Sequence, residues 1–173
     1  WRELTDEISE QSWKFKVKKD DPHLSNLLRK RRLVLETAAE KLRVLSDLFE
    51  NENRSELNYT LIYGTDKQPE QLEQINRMLQ NRGFLFRQLT QEETVNRKLT
   101  SQILKSFQNG EIQVLTAKRV LDEGVNIPQI KKAFILASTT VVRQWVQRRG
   151  RILRKCNEIG KTHAELPDFV VLP

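Results

Sequence analysis

The amino-acid sequence predicts an α/β fold, a mainly parallel sheet with helices on both faces, preceded by a helical extension. Three observations carry this prediction. From Tyr59 onward short apolar runs alternate with stretches of helical period, whereas His23 to Phe49 shows helical period alone. Between the two patterns, at Asn51 to Asn58, Asn, Glu and Ser accumulate as they do in a connection. Strand and helix taking turns is the signature of parallel strands joined by crossover helices. The chain therefore divides into a helical N-terminal extension, residues 1–57, and an α/β domain, residues 58–173.

Taken in order, Trp1 to Lys19 mixes polar and apolar residues without a clear period. Asp21-Pro22 is a helix start signal, because proline is tolerated at the first helical position. From His23 to Phe49, Leu24, Leu27, Leu28, Leu33, Leu35, Ala38, Leu42, Leu45 and Leu48 recur close to the helical period and predict one or two helices. Arg29 to Arg32 form a basic knot there; leucines at this spacing point to a helix packed on the sheet with its charges outward. Strands are predicted at Tyr59 to Tyr63, Phe84 to Leu89, Ile112 to Thr116, Ala133 to Ala137 and Phe169 to Leu172. Helices are predicted near Gln68 to Asn81, Glu92 to Gln108 and Thr140 to Arg154.

Composition sets bounds on function. A chain of 173 residues that is 38% hydrophobic can bury one sizeable core. Thirty Lys+Arg against 23 Asp+Glu give a net charge of +7, which favours a polyanionic partner, nucleic acid being the commonest, although a ribosomal or membrane surface fits that charge equally well. Cys156 is the one cysteine and His23 and His163 are the two histidines, so neither a disulfide framework nor a tetrahedral metal site can be assembled from them. A reducing intracellular setting, cytoplasmic or nuclear or nucleoid, is the corresponding expectation. No apolar run approaches the roughly 20 residues of a membrane span. A chain opening on Trp1 reads as a piece of something longer.

Ligands of open parallel sheets gather beyond the carboxyl ends of the strands. Here those ends carry Gly64-Thr65-Asp66, Leu89-Thr90, Thr116-Ala117 and Ser138-Thr139-Thr140. Hydroxyls beside backbone N–H groups can hold phosphate oxygens, and each of these residues is also an ordinary helix cap or turn residue. If Thr140 to Arg154 is a helix, Gln144, Gln147, Arg148, Arg151 and Arg154 fall on one side while Val142, Trp145, Val146 and Leu153 fall on another. One face packs and the other presents charge. Gly150 in such a helix costs roughly 1 kcal/mol relative to Ala, which points to another backbone or a ligand coming close. On these residues alone, a solvated basic helix end remains an equal reading.

Two blocks together are more specific. Glu123-Gly124-Val125-Asn126-Ile127-Pro128 and Gln147-Arg148-Arg149-Gly150-Arg151-Ile152-Leu153-Arg154 resemble the late motifs of the C-terminal half of superfamily 2 helicases and translocases, approximately "EG(V/L)(D/N)IP" and then "QRxGRxxR". The resemblance continues upstream through Leu89-Thr90, Arg97, Ile103 to Phe107 and Gly110-Glu111-Ile112, and covers about Tyr59 to Arg154. Gln147 stands where the RNA-directed DEAD-box branch usually carries His. The chain is thus more similar to the helicases of DNA repair and restriction systems, and DNA is the favoured nucleic acid.

That resemblance implies the second RecA-like domain of an ATP-dependent helicase or translocase. ATP and Mg²⁺ would be held mainly by the N-terminal RecA-like domain of the same parent chain. Arg151 and Arg154 match positions that reach the γ-phosphate as arginine fingers. Gln147 and Arg148 match positions that couple the cleft to neighbouring motifs, and Gly124 and Asn126 belong to the nucleotide side. Gly64, Thr65, Thr90, Thr116, Ser138 and Thr139 fall in regions assigned to nucleic-acid backbone contacts. Arg149 occupies a variable position and has no role. The family often has Asp where this chain has Asn126, which keeps a hydrogen bond to a ribose hydroxyl or an arginine but removes a charge. Glu123 pairs with a motif arginine or is a solvent-facing loop acid.

Gly160-Lys161-Thr162 is not a phosphate loop, because the first glycine of G-x-x-x-x-G-K would fall on Lys155 and no strand precedes it. The expectation is therefore a chain that cannot hydrolyse ATP alone. Two other readings stay open at this level: a degenerate helicase-like domain kept for nucleic-acid binding or scaffolding, and a basic α/β adaptor with no nucleotide role.

Overall fold

The structure, a computed structural model, describes residues 2–14, 22–36, 39–65, 69–90, 93, 95–118, 126–136, 150, 152–167 and 169. Three helices come first, α1 (Arg2–Lys14), α2 (Pro22–Glu36) and α3 (Ala39–Asn51). A 3-10 turn at Arg54–Leu57 then leads into β1 (Thr60–Tyr63), α4 (Pro69–Asn81), β2 (Phe86–Leu89), α5 (Arg97–Gln108), β3 (Val114–Ala117) and β4 (Lys132–Ile135). The four strands form one sheet in the order β2-β3-β1-β4, and every neighbouring pair is parallel. This is the predicted fold class, with strand limits shifted by one or two residues.

Each strand alternates its side chains between two cores. Leu61, Tyr63, Leu115, Ala117, Ala133 and Ile135 point to the α5 side, where Ile103 and Phe107 meet them. Ile62, Val114 and Phe134 point to the other side, against Leu45 and Phe49 of α3 and Ile75 and Leu79 of α4. Phe49 packs its ring on both Phe84 and Phe134, with centroids 5.4 Å away in each case. The stripe Leu42, Leu45, Phe49 explains why α3 is helical and where it docks, while Arg43 pairs with Glu40 and Asp47 on its wet face. Helix α3 thus shares the core of the α/β domain although it precedes Asn51.

Both α4 and α5 stop at a glycine in the left-handed region, Gly83 (φ 68°) and Gly110 (φ 76°). In each case the next residue's N–H bonds back to the helix, Phe84 to Leu79 O (2.9 Å) and Glu111 to Ser106 O (2.9 Å), satisfying carbonyls that the helix end leaves open. Beyond β4, Ala133 N–H donates to Glu165 O (2.9 Å) and Ile135 N–H to Pro167 O (3.3 Å). Chain pairing on this edge therefore begins at Glu165, earlier than the strand predicted at Phe169 to Leu172, of which residues 170–172 lie outside the described residues.

Two expectations are corrected. The stretch Trp1 to Lys19, which showed no clear period, contains α1. Helix α2 packs mainly against α1 among the described residues. Leu27 is buried, but Leu28, Leu33 and Val34 are exposed, so helical spacing of leucines did not here mean burial. No described helix is long and apolar enough to cross a membrane.

The division of labour between α2 and α3 is directly measurable. Phe49→Ala is expected to cost about 3 to 5 kcal/mol by removing a ring from a closed aromatic contact. Leu33→Ala, at a position 41% exposed, should change stability by no more than about 0.5 kcal/mol. Urea denaturation of both variants checks the contrast.

Candidate nucleotide and nucleic-acid interface

The carboxyl ends of β1, β2 and β3 lie level with one another. Gly64 N–H donates to Ala117 O (2.9 Å) and Lys118 N–H to Leu89 O (3.3 Å). Four of the six expected nucleic-acid contacts, Gly64, Thr65, Thr90 and Thr116, are gathered at this edge, and all four are buried. Thr65 is held by its backbone N–H, which donates to Gln71 Oε1 (3.0 Å). Ser138 and Thr139 lie outside the described residues.

The hydroxyls of Thr90 and Thr116 are turned inward. Thr90 donates its backbone N–H (2.6 Å) and its hydroxyl to Glu93 Oε2, closing the start of the helical segment that follows β2. Thr116 is 0% exposed; its hydroxyl donates to Asn76 Oδ1 (2.8 Å), and Asn76 Nδ2 donates to Gln88 Oε1 (2.8 Å). Gln88 in turn bonds Glu93. A polar chain thus runs from the middle of the sheet, through Asn76 and Gln88, to the Thr90 cap. The hydroxyls of Thr90 and Thr116 are thus buried and bonded within the protein. The reason is that a buried hydroxyl without a partner is costly, and Asn76, Gln88 and Glu93 supply those partners.

The same edge carries cations that the sequence reading did not assign to binding. Arg97 and Lys98 are exposed at the start of α5, which Asn96 caps by accepting from Leu99 N–H (3.1 Å). Thr100, one turn further, donates its hydroxyl to Glu93 O (2.7 Å), which places this helix start beside the Thr90 cap. Lys118 leaves β3 at the same level. The signal that could have found them is position in an α/β pattern, Lys118 directly after a strand and Arg97 and Lys98 at the start of the helix that follows one.

The two late motifs meet on the α5 side of the sheet, the first of them in the segment that leads into β4. Ile127, Ile130 and Ile152 are buried in the α5-side core, so each motif is anchored by its apolar residues. Above them Arg154 Nη1 donates to Asn126 Oδ1 (2.7 Å) across 28 positions of sequence, in solvent-exposed surroundings. Beneath, the ammonium of Lys161 donates to Pro128 O (2.8 Å) and Ile152 O (2.6 Å). Gly150 and Ile152 are helical, and Arg154 lies just beyond the helical residues. A Cβ added at Gly150 would meet no atom within 4 Å. Close approach by another described backbone is therefore not what glycine serves there. Gly124, Gln147, Arg148, Arg151 and Glu123 lie outside the described residues, as does Arg149.

A four-stranded parallel sheet covered on both faces by helices is the RecA-like fold. The chain belongs to the helicase conserved C-terminal domain family, whose model matches residues 40–156. The DNA 3'-5' translocase XPB2 of Sulfurisphaera tokodaii is 44% identical over 54 residues, which are 31% of this chain and 12% of that protein. The C-terminal domain of the DEAD-box protein Dbp5 superposes with a TM-score of 0.60 at 17% identity, covering 78% of this chain and 72% of that one. A fragment of a putative HsdR subunit of a type I restriction enzyme from Vibrio vulnificus gives 0.59 at 21% identity, covering 89% and 29%. At these identities the structural likenesses establish the fold.

The Thr90 cap has a pH signature. Burial opposes the charge of Glu93, yet the hydroxyl and amide of Thr90 and the side chain of Gln88 hold its carboxyl below the usual carboxylate range. A depressed folded value means that the stabilisation is present above the unfolded value of about 4.3 and is lost as pH falls through the folded value. Glu93→Gln is therefore expected to lower stability by about 1 kcal/mol near neutral pH. The difference in melting temperature from the parent should narrow only as pH falls below the unfolded value of about 4.3, closing once the pH is below the depressed folded value. Calorimetry across that range tests this, and a pH-independent difference contradicts it.

Proposed function

We propose that this chain is the C-terminal motor domain of an ATP-dependent DNA helicase or translocase, in which it faces an N-terminal RecA-like domain of the same parent. In this reading residues 1–57 are a helical extension and 58–173 the motor domain, with α3 of the extension seated in the motor core. The protein works inside the cell. The relative that is a DNA translocase supports DNA as the track.

The observation that carries the reading is the contact between Arg154 and Asn126, which joins the two helicase motifs at the surface. Asn126 orients the guanidinium without neutralising it, whereas a carboxylate there would cancel the charge. The arginine keeps its full charge and planar set of donors for the phosphoryl oxygens. In the reading Arg151 works beside it, Gln147, Arg148 and Gly124 line the same cleft, and ATP drawn between the two domains closes them while hydrolysis lets them part. Among the described residues no group of three or more His, Cys, Asp or Glu gathers as metal ligands. The donors here are cationic or amide and fit phosphate, so Mg²⁺ is left to acidic residues of the N-terminal domain. Strand contact falls to Arg97, Lys98 and Lys118 with Ser138 and Thr139, rather than to the enclosed Thr90 and Thr116.

In the intact parent, Arg154→Ala and Arg151→Ala are each expected to cut nucleic-acid-stimulated ATP turnover by about 10³-fold while binding of ATP and DNA falls far less. Arg149→Ala should behave like the parent protein. Loss of DNA binding in step with turnover would move these arginines to the strand surface and favour a scaffold. The chain by itself should show no ATPase above buffer. It should bind single-stranded DNA with an affinity that drops steeply with salt, and replacing Lys118 by Gln should lower the salt slope by about 1.

A further inference from the structure

We infer that Lys161 is a positioning residue that sets the register between the two motor motifs and thereby aims Arg154. It sits in the Gly160-Lys161-Thr162 stretch that looks like a phosphate loop and is not one. Its side chain is turned into the protein, 3% exposed, with Nζ donating to Pro128 O (2.8 Å) in one motif and to Ile152 O (2.6 Å) in the other. Pro128 lies two residues after Asn126, and Ile152 two residues before Arg154. One ammonium therefore clamps both backbones close beneath the Arg154 to Asn126 contact.

The clamp is itself fixed from below. Cys156 N–H donates to Lys161 O (3.1 Å) and Lys161 N–H to Cys156 O (2.9 Å), with the 3-10 turn Asn157–Ile159 and a left-handed Gly160 between them. This short hairpin folds the chain back so that a residue seven positions after Arg154 reaches beneath it. A carbonyl at the end of helical backbone is a favourable acceptor for a cation. Burial pulls the ammonium down from its ordinary value, the neighbouring Cys156 opposing this, so the group is retained at a cost that the two carbonyls offset. An apolar residue of similar length would fill the space but hold neither backbone.

The inference rests on the motor reading of the site, and its test uses the intact parent protein. Lys161→Met should lower kcat for DNA-stimulated ATP hydrolysis about tenfold or more with the KM for ATP changed less than threefold. In an Arg154→Ala background the same change should add less than a twofold loss, because the residue it aims is gone. Losses that multiply in the two backgrounds overturn the inference, as does a change confined to KM. Lys161→Arg, which keeps the cation and its donors, should restore at least half of the lost turnover; no rescue counts against the inference. Hydrogen–deuterium exchange supplies a readout that does not depend on turnover: Lys161→Met should speed exchange in 126–130 and 150–156 and leave β1 and β3 unchanged. Uniformly faster exchange, or none, overturns it. A parent with no ATPase at all sinks the motor reading while leaving the exchange result to judge Lys161.

Discussion

The constraint on which the structure depends is that a parallel sheet must be covered on both faces. Residues of β1, β3 and β4 are buried throughout, alternating between the α5-side core and the core under α3 and α4. Parallel strands enclosed in this way leave no side chain within the sheet for solution chemistry. Whatever the domain does must be done by segments that leave the strands at their carboxyl ends. The motif residues divide accordingly, with their isoleucines in the core and Asn126 and Arg154 exposed.

The same constraint explains why so many polar groups turn inward. Crossover helices and edges meet the sheet at places where a backbone or hydroxyl would be stranded without a partner, and long side chains fill those places. Lys41 of α3 donates to Leu136 O (2.7 Å) beyond β4. Lys132 meets Glu52 (2.5 Å) and Glu165 (3.2 Å); burial works against its charge, but the two carboxylates hold its ammonium above the ordinary value. Lys161 completes the set among the described residues. Each of these lysines joins pieces of chain far apart in sequence, and removing one partner of a buried charge is far more damaging than replacing both. They therefore specify an arrangement more than they add stability.

At the motif junction the choice of Asn over Asp at position 126 has a chemical sense. A carboxylate would bind the guanidinium more tightly and reduce its attraction for phosphate. The amide gives direction alone. At the helical residue Gly150 an added Cβ would have no neighbour within 4 Å among the described residues.

Much of the architecture was legible in the residues. Alternation placed four strands to within two residues, the apolar period from His23 to Phe49 predicted one or two helices there, Asp21-Pro22 marked the start of α2, and two motif blocks carried the family. These are local properties: periodicity and turn chemistry act over a few neighbouring positions. What the residues could not reveal is which partner each polar group finds. Leu28 and Leu33 have the same spacing whether or not a sheet lies beside them, and α2 found α1 instead. The enclosure of Thr116 could not be read along the chain, because Asn76 lies 40 positions away and meets it only when α4 packs on β3, whereas the Thr90 to Glu93 cap is local and is one of the two readings the residues left open. Asn126 and Arg154 stand out as motif residues, with an arginine among the partners expected for Asn126, but Lys161 is an ordinary polar residue until folding brings it to both motifs. The sequence by itself determined the elements and the family; the tertiary structure decided which hydroxyls are enclosed and which lysine joins the motifs, because hydrogen-bond partners are chosen by proximity in space and not along the chain.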